Sequence, residues 1–162
     1  MSDEKELIDL LREHHMTLSS VESLTGGLFS STITSVPGAS DVFLGASVTY
    51  CNEMKEKLGV PEEVIDGYSA VSAQCAAEMA KAGHAYYQSD VCVSFTGNAG
   101  PTASEGKPVG ECYVAIYVDG DVFPYKLECK GERNEIRETL VSFALRETLY
   151  RVKMEFLEKK TD

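Results

Sequence analysis

Glu22-Ser23-Leu24-Thr25-Gly26-Gly27 joins a strand-like run, Thr17 to Val21, to a helix-like run, Leu28 to Ser35. A hydroxyl at a strand-to-helix turn lies among backbone N–H groups that the helix leaves unpaired. Those groups and the helix dipole attract negative charge. The turn can therefore hold a phosphate, or a nucleophile with the oxyanion it generates. The paired glycines allow a tight turn and a close backbone approach to a ligand. A plainer use is a helix cap, with Ser23 or Thr25 as the capping hydroxyl.

The alternation of strand and helix continues outward from this turn. Before it, Leu7, Ile8, Leu10 and Leu11 repeat at helical spacing between acidic and basic residues, predicting an amphipathic helix over 3–15. After it, residues 26–35 read as a helix ended by Pro37-Gly38. Val42 to Tyr50 reads as a strand, and Asn52 to Leu58 as a short helix closed by Gly59. Ser72 is the expected N-cap of an alanine-rich helix over 73–87, whose small side chains predict close packing on another layer. Asp90 to Phe95 is a compact apolar strand, and 96–106 a loop rich in Gly, Pro, Ser and Thr. Val109–Val118 and Val122–Cys129 flank Asp119-Gly120, a hairpin signal. Pro124 assigns the second of these to an edge or a bulge.

A long helix starts near Glu132. Ile136, Leu140, Phe143, Ala144, Val152 and Phe156 mark one face of it, widened by Val141, Leu145 and Leu149. The order predicts one α/β domain over residues 1–162, with helices on both faces of a mixed sheet. No G-x-G-x-x-G follows the first strand, which removes the basis for a dinucleotide-binding reading.

Net charge is −11, from 26 acidic against 15 basic residues. That balance argues against nucleic-acid binding through a general basic surface, though not against a local pocket for one phosphate. Cys51, Cys75, Cys92, Cys112 and Cys129 form no C-x-x-C pair and no ligand motif with His14, His15 or His84, so no metal site is expected. Scattered cysteines in apolar runs read as buried small hydrophobes in a reducing compartment. The N-terminus is polar and acidic, and no apolar run reaches membrane-spanning length. The expected place is the cytoplasm, with no membrane partner.

Besides the opening turn, three more segments gather unusual residues. In Thr49-Tyr50-Cys51-Asn52-Glu53-Met54-Lys55, an Asn52 cap would put Lys55 in the first turn of a helix, where the dipole disfavours its charge. A neutral amine beside a serine can remove the hydroxyl proton; the plain alternative is a solvated lysine. Ser94-Phe95-Thr96-Gly97-Asn98-Ala99-Gly100-Pro101 puts small residues after a buried strand, leaving N–H groups to face a ligand or simply making a turn. Gly131-Glu132-Arg133 opens the last helix with Arg137 one turn on. Two arginines there suit a phosphate monoester, or else ion pairs with neighbouring glutamates.

Taken together, these segments resemble the CinA C-terminal family, the nicotinamide-nucleotide amidases. The resemblance rests on Glu22-Ser23-Leu24-Thr25-Gly26-Gly27, Val48-Thr49-Tyr50-Cys51-Asn52-Glu53-Met54-Lys55, Thr96-Gly97-Asn98-Ala99-Gly100-Pro101, Lys107-Pro108-Val109-Gly110 and Gly131-Glu132-Arg133, in that order over nearly the whole chain. It implies a three-layer α/β/α domain that assembles as a homo-oligomer. It also implies hydrolysis of the carboxamide of nicotinamide mononucleotide to nicotinic acid mononucleotide and ammonia, with no metal or organic cofactor.

Residue by residue, the resemblance makes Ser23 the nucleophile and Lys55 its general base, with Thr25 and Tyr50 orienting or bridging the pair. Backbone N–H groups of Gly26 and Gly27, or of the Thr96-Gly97 loop, would hold the oxyanion. Arg133 and Arg137 would take the 5′-phosphate, and Asn52 would bond the ribose or brace the lysine. Some family members carry this domain behind a second, molybdopterin-binding-like one; this chain has the amidase-like part.

The departures are Asn98, where an apolar residue is usual, Thr102-Ala103 in place of a glycine-rich run, Thr96 for serine, and Glu132 for aspartate. They bear on substrate fit and leave two rivals open: a non-catalytic nucleotide-binding module, and an amidase for another amide.

Overall fold

The computed structural model describes the backbone of residues 1–161 and side chains through residue 157. The elements are α1 (Asp3–Glu13), β1 (Leu18–Glu22), α2 (Leu28–Thr34), a 3₁₀ turn (Ala39–Asp41), β2 (Phe43–Val48), α3 (Asn52–Leu58), α4 (Glu62–Tyr68), α5 (Ala73–Tyr87), β3 (Val91–Gly97), β4 (Glu111–Val118), β5 (Asp121–Glu128) and α6 (Arg133–Thr161).

The strands form one sheet in the order β2-β1-β3-β4-β5. β1 runs parallel to both neighbours, while β4 is antiparallel to β3 and to β5. The sheet is therefore mixed, with the expected hairpin at one end. β5 is an edge strand, as Pro124 requires.

Strand residues alternate between two cores. Leu18 packs with Leu7, Leu11, Phe29, Ile33, Leu140 and Ala144, which places α1, α2 and α6 on one face. Val21 packs with Cys75, Met79 and Cys92 under α3, α4 and α5 on the other. The result is the α/β/α arrangement.

β1 is buried on both faces, yet three of its five residues are polar. A strand in that position is normally a continuous apolar run. Here each polar group is paired: Ser19 Oγ meets Ser89 Oγ at 2.6 Å, Ser20 Oγ meets Ser30 Oγ at 3.1 Å, and Glu22 serves the next helix. Close packing of α5 is also literal. A Cβ on Gly83 would lie 2.5 Å from both Cys92 Sγ and Val21 Cγ2, so only glycine lets the helix approach β1 and β3.

Several boundaries differ from expectation. α2 starts at Leu28, because Gly26 and Gly27 both have left-handed backbone (φ 56° and 102°). β3 runs on through Thr96 and Gly97, and β4 starts at Glu111 instead of Val109. α4 is not predicted; it has seven residues, of which only Ile65 is buried, and such a helix has too little apolar periodicity to detect. Phe143 and Phe156 are half-buried at the margins of the α6 stripe, not in it. Four cysteines are buried as expected, but Cys51 is exposed. Among the described residues no helix is long and apolar enough to cross a membrane.

Candidate active site

The three parallel strands end on one side of the sheet, where α/β folds place their ligand sites. Ser23 follows β1 there, held by its N–H to the Phe95 carbonyl at 3.0 Å. The preceding Glu22 is fully buried. Its carboxylate accepts from Phe29 N (3.0 Å), Ser30 N (3.1 Å), Thr25 Oγ1 (2.8 Å), Ser20 Oγ (3.3 Å) and Ser30 Oγ. The open N–H groups of α2 are thus closed by the chain's own anion, and no external phosphate is needed there.

Two expectations change as a result. Thr25 does not bridge Ser23 and Lys55, since its hydroxyl belongs to Glu22. Gly26 is not a free oxyanion donor, because its N–H bonds the Ser23 carbonyl at 3.0 Å, and neither Gly26 nor Gly27 lines the cavity. Their left-handed backbone makes the turn instead.

Lys55 arrives from α3. Cys51, not Asn52, holds the capping position, and Asn52 is the first helical residue. The lysine is 2% exposed, and its Nζ lies 3.0 Å from Ser23 Oγ, 2.8 Å from the Thr49 carbonyl and 3.0 Å from the Tyr50 carbonyl. Burial pushes its pKa below the ordinary lysine value, partly offset by Cys75, Cys51 and Glu105 nearby. Desolvation is the largest cause; Lys55 stands in the last turn of the seven-residue α3, not in its first, so the expected dipole effect does not apply. Tyr50 contributes its carbonyl to the dyad, and that carbonyl also accepts from Ser23 Oγ at 3.3 Å. Tyr50 is 59% exposed, and its phenol oxygen accepts from Arg133 instead of joining the dyad.

The two arginines part company. Arg137 sends Nε to the Leu24 carbonyl (3.0 Å), Nη2 to the Thr25 carbonyl (2.9 Å) and Nη1 to Asn134 Oδ1 (2.9 Å). It braces the turn behind Ser23 and does not line the cavity, which corrects the pairing of both arginines on one phosphate. Arg133 does line it. Nη2 donates to Tyr50 Oη at 2.8 Å and Nη1 to the Gly100 carbonyl at 2.5 Å. Both partners are neutral, and no carboxylate among the described residues pairs with Arg133.

The remaining wall is the 98–110 loop. Asn98 Nδ2 donates to the carbonyls of Ser104 and Lys107, both at 2.9 Å, and its Oδ1 accepts from Ser104 Oγ at 2.5 Å. The unusual asparagine is spent on tying its own loop. Thr96 Oγ1 donates to the Ala70 carbonyl at 2.7 Å, so that hydroxyl braces the α4–α5 turn. A Cβ on Gly97 would sit 2.7 Å from the Cys112 Cα, which fixes this position as glycine.

Asn52 does not bond the lysine amine; its Nδ2 donates to Glu105 Oε1 at 3.1 Å. Ser23, Lys55, Asn52, Thr96, Glu105 and Arg133 all face one cavity of about 180 Å³. Among the described residues no group of three or more His, Cys, Asp or Glu could hold a metal ion.

Sequence reasoning missed Glu22 as the internal cap and Glu105 as a cavity residue. The first had a signal: an acid six to eight residues ahead of an uncapped helix start. The second had none, since its loop carries no periodicity.

The CinA C-terminal domain family matches residues 2–152. A CinA-like protein of Petrotoga mobilis is 42% identical over 153 residues, covering 93% of this chain and 38% of the relative. The chain spans between 32% and 38% of the length of the curated relatives it matches most strongly. Among solved structures, the competence/damage inducible protein CihA of Agrobacterium tumefaciens is 33% identical with a TM-score of 0.84, covering 94% of this chain and 97% of that one. A competence or damage-inducible protein of Enterobacter asburiae is 27% identical with a TM-score of 0.90, covering 93% and 96%. With a match over almost its full length and relatives at this level of identity, this chain belongs to the CinA C-terminal domain family.

Proposed function

We propose that the chain is an amidohydrolase that converts nicotinamide mononucleotide and water to nicotinic acid mononucleotide and ammonia. The observation that carries this is the 3.0 Å contact between Ser23 Oγ and Lys55 Nζ, with two backbone carbonyls on the same nitrogen. A charged lysine has three hydrogens for three acceptors. A neutral one keeps two on the Thr49 and Tyr50 carbonyls, which leaves its lone pair directed at the Ser23 hydroxyl. Burial favours that neutral form.

Ser23 Oγ then attacks the amide carbon as Lys55 takes its proton. Lys55 returns the proton to the departing nitrogen, releasing ammonia and leaving an acyl-serine. Water attacks the ester with Lys55 again as base, and the acid and free serine result. For the oxyanion, the ladder points to Gly97. Alternate N–H groups of an antiparallel strand face the same neighbour. Asn98 donates to Glu111 on β4, so the Gly97 N–H is turned to the Ser23 side. Arg133, at the N-terminus of a long helix and without a carboxylate partner among the described residues, is the phosphate ligand. The substrate thereby spans from the β1–α2 turn to the N-terminus of α6 across one cavity.

The test is ammonia release from nicotinamide mononucleotide by wild type, Ser23→Ala and Lys55→Ala. Each variant should lose at least ~10²-fold in kcat/KM. A Ser23→Ala protein with full activity overturns the mechanism.

A further inference from the structure

Glu105 stands in the cavity wall on the 98–110 loop, with left-handed backbone (φ 58°). Its Oε1 accepts from Asn52 Nδ2 at 3.1 Å and its Oε2 from Ser69 Oγ at 3.5 Å. Both partners are neutral, and no Lys, Arg or His among the described residues pairs with it. Asn52 lies three residues before Lys55 on α3, and Glu105 shares one cavity with Ser23 and Lys55. The same cavity carries Arg133, a cation that likewise has no charged partner among the described residues. One open negative charge and one open positive charge thus face a shared space, next to a nucleophile.

We infer that Glu105 forms a cation subsite, so that the site selects amides whose ring carries a positive charge together with a distant anionic group. This rests on the mononucleotide reading and narrows it. The oxidised ring of nicotinamide mononucleotide is a pyridinium cation, whereas the reduced dihydropyridine ring is neutral with nearly the same shape. Glu105 distinguishes the two by charge alone.

A second consequence follows for the base. The Glu105 charge favours protonated Lys55. A bound cation offsets that charge and repels the ammonium, so binding itself helps to free the amine. The pH midpoint of kcat, which reports the complex, should lie below that of kcat/KM, which reports the free enzyme.

The bland role for Glu105 is to staple the loop to α3. Glu105→Gln separates the roles, because the amide oxygen still accepts from Asn52 while the charge is gone. Binding is measured by calorimetry in a Ser23→Ala background, which stops turnover, with nicotinamide mononucleotide and its reduced form. The oxidised ligand should bind more tightly. Glu105→Gln should weaken it roughly tenfold and leave the reduced ligand within about twofold. In the otherwise native enzyme it should also narrow the gap between the two pH midpoints.

Equal loss for both ligands, or no loss for either, overturns the cation subsite. Ammonia release with Glu105-independent binding sinks only this inference. Glu105-dependent binding without ammonia release sinks only the amidase reading. Failure of both ligands to bind sinks the two together.

Discussion

Arg137 donates through Nε to the Leu24 carbonyl at 3.0 Å, and so ties the second turn of α6 to the residue after the proposed nucleophile. A second bond, from Nη2 to the Thr25 carbonyl, completes the brace. The side chain is half-buried, and both bonds carry a charge.

Arg137→Met should therefore act on folding before it acts on substrate. Losing two charge-assisted bonds to backbone carbonyls costs about 1–3 kcal/mol, or roughly 3–8 °C in Tm for a chain of this size. kcat should fall as the turn loosens, with KM changed less. Arg133→Ala should show the opposite balance: a KM for the mononucleotide roughly tenfold higher and a smaller loss in Tm. Thermal melts and steady-state kinetics on both variants check this. A shared phenotype would return Arg137 to the phosphate site.

Glu22→Gln tests the internal cap. The carboxylate accepts from five donor groups on two acceptor oxygens, and glutamine offers one oxygen and two further hydrogens. Donors would then face donors in a fully buried site. Denaturant unfolding should show a loss of about 2–4 kcal/mol, with activity falling alongside. Stability within ~0.5 kcal/mol of wild type would contradict the cap.

Lys55 links stability to pH with a definite sign. Its folded pKa lies below its unfolded value, so the unfolded chain binds the extra proton between the two. Wild type is consequently penalised at neutral pH and relieved as pH climbs toward the ordinary lysine value of 10.5. Lys55→Met removes the penalty: it should be inactive yet more stable than wild type at pH 7, with the gap shrinking by pH 10. Activity of wild type should rise with pH through a midpoint below 10.5. Unfolding curves at both pH values decide the matter, and a gap that widens with pH would reverse the assignment.

Much of this arrangement can be read along the chain. Short strand-like runs located β1 and β3, Asp119-Gly120 marked the hairpin, and the glycine pair marked the turn at Ser23. Local pattern carries that information because it reports which face is buried. What the pattern does not carry is the destination of long polar side chains. Arg133 and Arg137 look equivalent at helical spacing, yet one enters the cavity and the other crosses to Leu24, 113 residues back. Thr25 and Asn52 look like site residues, but Glu22 and Glu105 capture them. Each outcome depends on which acceptor the tertiary fold brings nearest, and that is absent from spacing.

Two of the three groups that hold Lys55 are main-chain carbonyls, those of Thr49 and Tyr50. Side-chain replacement cannot delete a carbonyl. A saturation scan of this protein would register the side chains of Ser23 and Lys55, but not the two carbonyls that aim the amine. At Thr49 it would report the packing of a buried side chain, and at Tyr50 the phenol's bond to Arg133. The orientation of the base is in this sense written in the path of the chain, out of reach of point mutation, and only a change in backbone course between β2 and α3 would alter it.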